Sequence, residues 1–263
     1  MSKIGFIGMG NMAQALAKGF IDRGVVKDED MFAYAPNKEK LLKNADLIGF
    51  MPMSSASAVV ENSDIIIIAC KPYQIDIVLD EVRDVIAGKA IVSVAAGWVY
   101  QTFADKVKNV RIQCIMPNTP AMVGEGVFLF EEAGNLEPME LAEVMGMFNA
   151  LGIVETMPTR LMGIGGAISG CGPAFMDLVM EAYADAAVKY GISRDTAYRL
   201  VAKTMLGSAK LQLETGKHPG VLKDEVCSPA GTTIRGVAAL EKNGFRNACI
   251  ESIDAIMDFK KNN

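Results

Sequence analysis

The first candidates for chemistry are two glycines and a small residue near the start of the chain. Gly8, Gly10 and Ala13 have the spacing G-x-G-x-x-A, between a predicted strand at 3–7 and a predicted amphipathic helix at 11–23. The first glycine permits a tight turn, the second lets backbone approach a pyrophosphate, and the alanine allows close helix–strand packing. An ordinary strand–turn–helix corner can share this spacing, but the flanking elements favour a dinucleotide site. Its predicted contacts are Ile7, Gly8, Met9, Gly10, Asn11 and Met12.

The end of the second predicted strand bears on which dinucleotide binds. Folds that prefer NAD place Asp or Glu there, where the carboxylate accepts a hydrogen bond from the ribose 2′-hydroxyl. This strand end has no acid, and the residues assigned to the cofactor are Ala35, Pro36, Asn37 and Lys38. The missing carboxylate favours NADPH, with NADH as the second option. Lys38 also fits an ordinary solvated helix start.

Later strand ends supply the rest of the predicted site, because ligands bind at the carboxyl ends of strands in open α/β sheets. The residues assigned to the cofactor after the fourth and fifth strands are Ala69, Cys70, Lys71, Pro72, Ala95, Ala96 and Gly97. Lys71 fits either the cofactor or a plain surface position, and the small residues at 95–97 leave room for a nicotinamide. Asn118, after the sixth strand, offers a donor and an acceptor to a substrate.

A second signal lies near the other end of the chain, in a turn that opens a helix. Residues 228–233 contain a proline, a glycine and three hydroxyl side chains. Backbone N–H groups at a helix start bind carboxylates as they bind phosphates. The predicted substrate contacts are Ser228, Gly231, Thr232 and Thr233. The alternative is a capped helix start and nothing more.

The elements that position these residues follow a βαβ pattern in the first part of the chain. Strands are predicted at 3–7, 31–35, 48–51, 64–70, 90–94 and 111–116, with helices between them, and two further strands at 125–130 and 153–157 at one edge. Several are continuous apolar runs, which belong in parallel sheets covered on both faces. The predicted fold is an α/β Rossmann domain with a doubly wound, mostly parallel sheet.

Helical periodicity replaces the strand signal after Pro158. The sequence therefore predicts two domains, 1–158 for the dinucleotide and 159–263 as an all-α substrate-binding and dimerisation domain. A long helical pattern at 160–190 is interrupted at Pro173, and its glycines predict close helix–helix approach. Ser193 is a predicted N-cap. A small helical domain rich in Met and Ala would expose apolar surface as a monomer, so we expect at least a homodimer.

Composition excludes several classes of partner. The chain has 263 residues, 51% of them hydrophobic, and a net charge of −5, which argues against nucleic acid and anionic membranes. The longest aliphatic run, 65–70, is too short to span a bilayer, and no secretory signal is predicted. Five scattered cysteines without a C-x-x-C pair favour a reducing, cytoplasmic compartment and suggest no zinc site.

Some catalytic groups are missing from the sequence. It has no metal-ligand cluster and no His/Asp pair, and its single histidine, His218, reads as a loop residue. The segment 169–173 has no lysine, which a β-hydroxyacid dehydrogenase would need as acid/base. A protonated iminium substrate needs little acid catalysis, only an electrophilic carbon held in position.

Taken together, these motifs resemble those of the pyrroline-5-carboxylate reductase family over the whole length of the chain. The matching segments are 6–12, 69–72, 95–97, 118–120, 169–174 and, most specifically, 222–241. The resemblance implies hydride transfer from NAD(P)H to the imine carbon of 1-pyrroline-5-carboxylate, giving L-proline. It also implies that Ser228 and Thr233 hold the substrate carboxylate, and that interlocked dimers often gather into a ring of five. Thr233 is the expected proton source. One departure is Ala230, where the family often has glycine.

Two alternatives stay open at this point. The scaffold fits another imine reductase, which an assay of other cyclic imines would reveal. It also fits a dinucleotide-sensing regulator, which would bind nucleotide without turnover.

Overall fold

The computed structural model describes residues 2–262, with side chains described as far as residue 260. The outermost positions of the predicted domains, 1 and 263, lie outside the described residues. Contacts divide the chain into two compact units, Met1–Gly170 and Cys171–Asn263. This division lies one helix beyond the predicted boundary near Pro158. The domain boundary at Pro158 stays a prediction.

The first unit is built on one eight-stranded sheet. Its strands are β1 (Ile4–Ile7), β2 (Met31–Tyr34), β3 (Met51–Pro52), β4 (Ile65–Ile68), β5 (Ala90–Ser93), β6 (Arg111–Met116), β7 (Gly126–Gly134) and β8 (Gly152–Met157). Their order is β3-β2-β1-β4-β5-β6-β7-β8, parallel except between β6 and β7. The doubly wound sheet is confirmed, with both late strands at one edge as predicted.

Seven helices of the described first unit flank this sheet. They are α1 (Asn11–Asp22), α2 (Lys38–Ile48), α3 (Ala56–Asn62), α4 (Ile75–Val82), α5 (Tyr100–Lys106), α6 (Pro138–Asn149) and α7 (Thr159–Gly170). Strand β4 shows why its isoleucine run is continuous. Ile65 and Ile67 pack into one hydrophobic core, and Ile66 and Ile68 pack into a second core. Both faces are therefore covered, as a buried parallel strand requires.

The strand predicted at 48–51 exists, but its bounds were wrong. Ile48 is the last residue of α2, and Gly49 ends that helix with φ +103°. Glycine adopts this left-handed conformation without the strain of a side chain, so α2 continues to Ile48 and the strand begins only at Met51, three residues later than predicted. Only Met51 and Pro52 then pair with β2.

The glycines of α7 serve a different purpose from the predicted one. A Cβ on Gly165 would lie 2.6 Å from the Met157 sulfur, and a Cβ on Gly166 would collide with the Met116 sulfur. These contacts bring α7 close to the sheet, where a Cβ would collide with side chains from β6 and β8. The predicted helix–helix approach is therefore wrong for this pair, since the close neighbour is the sheet.

The second unit is helical throughout its described residues. Its helices are α8 (Gly172–Lys189), α9 (Arg194–Thr215), α10 (Pro219–Glu225), α11 (Thr232–Lys242) and α12 (Phe245–Asn262). The break predicted near Pro173 falls at Cys171, and Pro173 lies in the first turn of α8. Ser193 occupies the N-cap of α9, but its hydroxyl bonds the Thr196 hydroxyl at 2.9 Å and caps no backbone N–H.

This unit has almost no core of its own. Among described residues 171–260, Ala184 and Ala197 are the two buried residues. Large apolar side chains stay exposed, including Leu178 at 66% and Leu213 at 68%. By length and hydropathy, the stretch Thr159–Lys189 would suffice to cross a membrane, with 28% of its window buried, but helices of soluble proteins pass the same test. Apolar surface of this extent indicates a surface that a partner covers.

Candidate active site

The glycine turn lies at the carboxyl end of β1, directly against the end of β4. Gly8 has φ +99°, and a Cβ there would lie 2.6 Å from the Cys70 nitrogen and 2.7 Å from the Ala69 carbonyl carbon. Its N–H donates to the Tyr34 carbonyl at 2.8 Å, which ties the turn to the end of β2. Three strand ends therefore meet at Gly8, and no other residue fits there.

Gly10 differs from Gly8, because nothing in the protein itself excludes a side chain at this position. It is the N-cap of α1 with φ −77°, and a Cβ there would meet no atom within 4 Å. The protein itself does not require glycine at this position, so the space beside it is available to a ligand. Ala13 in the first turn is fully buried, as close packing on the sheet requires. Of the other predicted contacts, Asn11 is exposed, Met12 is half-buried and Met9 is buried.

At the end of β2, Pro36, Asn37 and Lys38 are exposed and Ala35 is half-buried. The Asn37 carboxamide oxygen accepts the N–H of Lys40 at 2.9 Å and caps α2. Because this cap uses the oxygen, the Asn37 amide N–H groups and the Lys38 ammonium point to solvent as free donors. No carboxylate occurs within 35–38. The strand end therefore presents donors and no acid.

The segment after β4 closes the other side of the glycine turn. The Ala69 N–H donates to the Ile7 carbonyl at 2.9 Å. Burial raises the pKa of the Cys70 thiol to about 11, so this cysteine stays protonated and serves for packing. Lys71 is exposed, and Pro72 begins a short 3₁₀ turn.

The loop after β5 is open and small, as predicted. Ala95 is buried, whereas Ala96 and Gly97 are exposed. Gly97 has φ +80°, and a Cβ there would meet no atom within 4 Å. Strand register sets Ile7, Ile68 and Ser93 side by side, so the predicted cofactor segments after β1, β4 and β5 leave one edge of the sheet together.

Asn118 is tied to the protein at both ends of its side chain. Its oxygen accepts the Val127 N–H at 2.9 Å, and its NH₂ donates to the Ser169 carbonyl at 3.0 Å. The residue is buried, and it holds the last turn of α7 against the start of β7. One amide N–H remains for a substrate.

The hydroxyl-rich turn lies in the second unit, before α11. Gly231 is the N-cap, and its N–H donates to the Ser228 carbonyl at 3.0 Å. A Cβ on Gly231 would collide with the Ser228 hydroxyl oxygen, so a larger residue there would force the Ser228 side chain to move. Thr232 and Thr233 are exposed, and none of the described residues hydrogen-bonds their side chains. Their hydroxyls remain available to a ligand.

Ala230 has φ +60°, a left-handed conformation that disfavours alanine by about 1–2 kcal/mol. This is the position where the sequence departs from the family pattern. The turn thus has a backbone conformation that glycine adopts without strain, although the residue at this position is alanine.

Two side chains, one in each unit, have roles that were not predicted. His218 is the N-cap of α10, where its Nδ1 accepts the Gly220 N–H at 3.0 Å. Glu131 is a buried carboxylate on β7, just past the end predicted for that strand. An acidic residue directly after an apolar run is the signal that could have found it. Among the described residues, no group of three metal-ligand side chains occurs.

Comparison with known proteins places the chain in a class and then in a family. Residues 3–97 match the family described as NADP oxidoreductase coenzyme F420-dependent, and residues 159–262 match that described as pyrroline-5-carboxylate reductase dimerisation. Together with the parallel sheet and its glycine turn, these matches define an NADP-dependent oxidoreductase with a helical dimerisation domain.

Individual relatives make the family plain. The pyrroline-5-carboxylate reductase of Treponema pallidum is 40% identical over 259 residues, 97% of this chain and 98% of the relative. The Escherichia coli protein of the same name is 39% identical, covering 97% and 96%. The crystal structure of Plasmodium falciparum pyrroline carboxylate reductase with NADP bound superposes with a TM-score of 0.88 at 33% identity, covering 99% and 97%. The chain belongs to the pyrroline-5-carboxylate reductase family, and the resemblance seen in its motifs is confirmed.

Proposed function

We propose that this protein reduces 1-pyrroline-5-carboxylate to L-proline with NADPH, the last step of proline biosynthesis. One observation carries the proposal: relatives named for this activity align at about 40% identity over nearly the full length of both chains. The alignment therefore spans the glycine turn and the hydroxyl-rich turn alike. A nucleotide sensor has no need for the second of these.

The described residues fit a bound dinucleotide. Space lies open beside Gly10 and Gly97, and the α1 N-terminus supplies unpaired N–H groups at the same corner. The residues that would hold NADPH are Ile7, Gly8, Met9, Gly10, Asn11, Met12, Ala35, Pro36, Asn37, Lys38, Ala69, Cys70, Lys71, Pro72, Ala95, Ala96 and Gly97. When bound, NADPH supplies the hydride for the imine carbon. The free donors of Asn37 and Lys38 support a 2′-phosphate, and NADH is the second option.

The turn at 228–233 would bind the substrate carboxylate. Backbone N–H groups at the start of α11 and the exposed hydroxyls of Thr232 and Thr233 supply donors, with Ser228 and Gly231 shaping the turn. Asn118 would contribute its remaining amide N–H. These groups fix the acid by charge-assisted hydrogen bonds, which are stronger than neutral ones.

Positioning supplies most of the catalysis in this scheme. The imine nitrogen enters protonated, so the imine carbon is already electrophilic. The site then only has to hold this carbon against the nicotinamide. Thr233 would hydrogen-bond the ring nitrogen and supply a proton where the imine enters neutral. The absence of a lysine at 169–173 agrees with this scheme.

The assembly would be a homodimer formed through the helical unit, with the hydroxyl-rich turn of one subunit completing the site of the other. The scarcity of buried residues in 171–260 supports this dimer. Five dimers in a ring is the finer proposal. We place the enzyme in the cytoplasm, without nucleic acid or membrane partners, on its composition and its biosynthetic role.

A single assay tests the function. Purified protein is mixed with NADPH and 1-pyrroline-5-carboxylate, and the loss of NADPH absorbance is followed alongside proline formation. The expected result is stoichiometric oxidation of NADPH and appearance of proline. Tight NADPH binding without turnover would support a sensor instead, and faster turnover of another cyclic imine would identify a different imine reductase.

A further inference from the structure

One buried carboxylate lies beside the proposed site and has no part in the scheme above. Glu131, on β7, is 2% exposed and is the only buried acidic residue among those the structure describes. A buried carboxylate without hydrogen-bond partners is strongly unfavourable, so its surroundings must satisfy it. The hydrogen-bond donors to Glu131 therefore show which segments this carboxylate holds in place.

Glu131 accepts hydrogen bonds from the first residues of two helices, α5 and α7. One carboxylate oxygen accepts the backbone N–H of Tyr100 at 2.7 Å, and the other accepts the Thr159 hydroxyl at 2.6 Å. Burial, the charge of Glu131 and a hydrogen bond to it raise the pKa of the Cys114 thiol well above its usual range. Among the described residues, no lysine or arginine pairs with Glu131. Uncharged donors alone hold this carboxylate.

The two partners begin the segments that flank the proposed nicotinamide region. Tyr100 is the first residue of α5 and directly follows the loop with Ala95, Ala96 and Gly97. Thr159 is the first residue of α7, whose last turn is held by Asn118. Glu131 thus joins the loop after β5 to the start of α7 across the sheet.

We infer that Glu131 is a positioning residue for the reduction, which fixes the loop at 95–99 where the nicotinamide binds. The inference rests on the proposed function. Most of the proposed NADPH contacts lie elsewhere, after β1, β2 and β4, so nucleotide affinity should depend less on Glu131 than hydride transfer does. Loosening the loop should therefore slow hydride transfer more than it weakens NADPH binding.

The test compares two replacements at the same position. Glu131→Met has similar bulk but accepts no strong hydrogen bond, so Tyr100 and Thr159 lose their partner. Glu131→Gln is the conservative variant: its oxygen accepts from Tyr100, and its NH₂ donates to the Thr159 hydroxyl. We expect the Met variant to lower kcat about tenfold or more with NADPH Kd changed less than about threefold, and the Gln variant to recover most of kcat.

A matched control separates positioning from general destabilisation. Glu140→Met breaks the ion pair with Arg111 between α6 and β6, away from the loop. It should lower the Tm and leave kcat unchanged. If Glu131→Met merely follows this pattern, with lower Tm and unchanged kcat, the inference is overturned.

The single tryptophan gives a readout that is independent of activity. Trp98 lies in the loop, with its ring centroid 4.7 Å from that of Phe103. Its fluorescence emission should shift in Glu131→Met and stay near the wild-type value in Glu131→Gln. A wild-type protein that does not reduce 1-pyrroline-5-carboxylate would refute the proposed function, and unaltered Trp98 emission in Glu131→Met would refute the positioning role.

Thr159→Val provides a second variant if Glu131→Met does not fold. It removes one of the two hydrogen bonds and keeps the carboxylate on Tyr100. A smaller fall in kcat, about threefold, with a partial Trp98 shift is expected. No change in either quantity would overturn the inference.

Discussion

Gly8 and Gly10 are two residues apart and are glycines for opposite reasons. Gly8 is fixed by the protein, because its φ of +99° and the nearby backbone of Ala69 and Cys70 exclude a side chain. Gly10 has ordinary φ and open space beside it. The fold requires the first glycine, and we propose that the bound dinucleotide requires the second.

This difference gives the first prediction. Gly10→Ala should fold with an unchanged Tm and bind NADPH about tenfold or more weakly, a loss of about 1.4 kcal/mol or more. Gly8→Ala should destabilise the protein by at least about 1–2 kcal/mol from backbone strain alone. Thermal melts and NADPH titrations measure both. An unchanged NADPH Kd in Gly10→Ala would remove this corner from the cofactor site.

The exposed hydroxyl of Thr233 gives the second prediction. Thr233→Ala should raise KM for the imine acid and lower kcat/KM about tenfold or more, since a hydrogen bond to a charged group contributes roughly 1.5–3 kcal/mol. NADPH affinity should hardly change. Steady-state kinetics with both substrates varied measure this, with Thr156→Ala on β8 as the matched control. A kcat/KM equal to that of the control would exclude Thr233 from the site.

At the scale of elements, α7 packs on the sheet because Gly165 and Gly166 have no side chains. Gly166→Ala should destabilise the protein by roughly 1–3 kcal/mol, because Met116 must move to admit the methyl group. Gly146 in α6 is the control, since a Cβ there meets nothing within 4 Å. Gly146→Ala should stabilise by roughly 0.5–1 kcal/mol through helix propensity. Equal effects in denaturant unfolding would contradict this packing account.

The ion pair between α6 and β6 makes stability depend on pH. Arg111 donates two hydrogen bonds of 2.7 Å to Glu140, and these bonds hold the pKa of Glu140 below its ordinary value. In the unfolded chain, a glutamate has a pKa near 4.3. Because the pKa of Glu140 is lower in the folded protein, the ion pair stabilises the fold at any pH above the unfolded pKa. This contribution is lost as the pH falls through the pKa of Glu140 in the folded protein. Stability should therefore decline on acidification below about pH 5.

Glu140→Gln isolates this contribution. At neutral pH the variant should melt roughly 2–4 °C below the wild type, if the partly buried pair contributes about 1 kcal/mol. The gap in Tm should close as the pH is lowered into the native titration range of Glu140. A gap that stays constant from neutral to acidic pH would show that the pair contributes through packing and not through charge.

For the whole molecule, the decisive feature is a helical unit with two buried residues among positions 171–260. Such a unit gains its core from a partner, and a two-fold dimer presents the same surface from each subunit. If the hydroxyl-rich turn of each subunit reaches the cofactor site of the partner subunit, each active site combines the sheet of one subunit with the turn of the other.

Mixing two impaired variants tests this arrangement. Co-expressed Gly10→Ala and Thr233→Ala subunits form heterodimers in which one site has both defects and the other has neither. Random pairing should restore about a quarter of wild-type activity, far above either variant alone. Activity no higher than the mean of the two parent variants would place the turn and the cofactor in the same subunit.

Most of the correct sequence predictions came from patterns within a few neighbouring residues. The isoleucine run of β4 and the glycine spacing at Gly8 and Gly10 predicted the sheet and its dinucleotide corner, because strand burial and turn strain act within a few residues. The bounds predicted for the 48–51 strand were wrong because Gly49 ends α2 by a backbone angle that the apolar pattern does not encode.

Long-range contacts were out of reach of the sequence. The partners of Glu131 are 31 and 28 residues away along the chain, and those of Asn118 include Ser169, 51 residues away. No spacing rule connects such positions. Gly165 and Gly166 were noticed correctly as unusual in a helix, but their neighbour was misassigned because only the fold shows that the sheet lies there.

A crystal structure of the protein with NADP⁺ and proline bound would show directly whether the glycine turn and the hydroxyl-rich turn form one site. We expect the pyrophosphate at Gly10 and the proline carboxylate about 3 Å from backbone N–H groups at the start of α11. The reacting carbon would then lie against the nicotinamide, beside the loop at 95–97. A carboxylate held anywhere other than residues 228–233 would contradict the account.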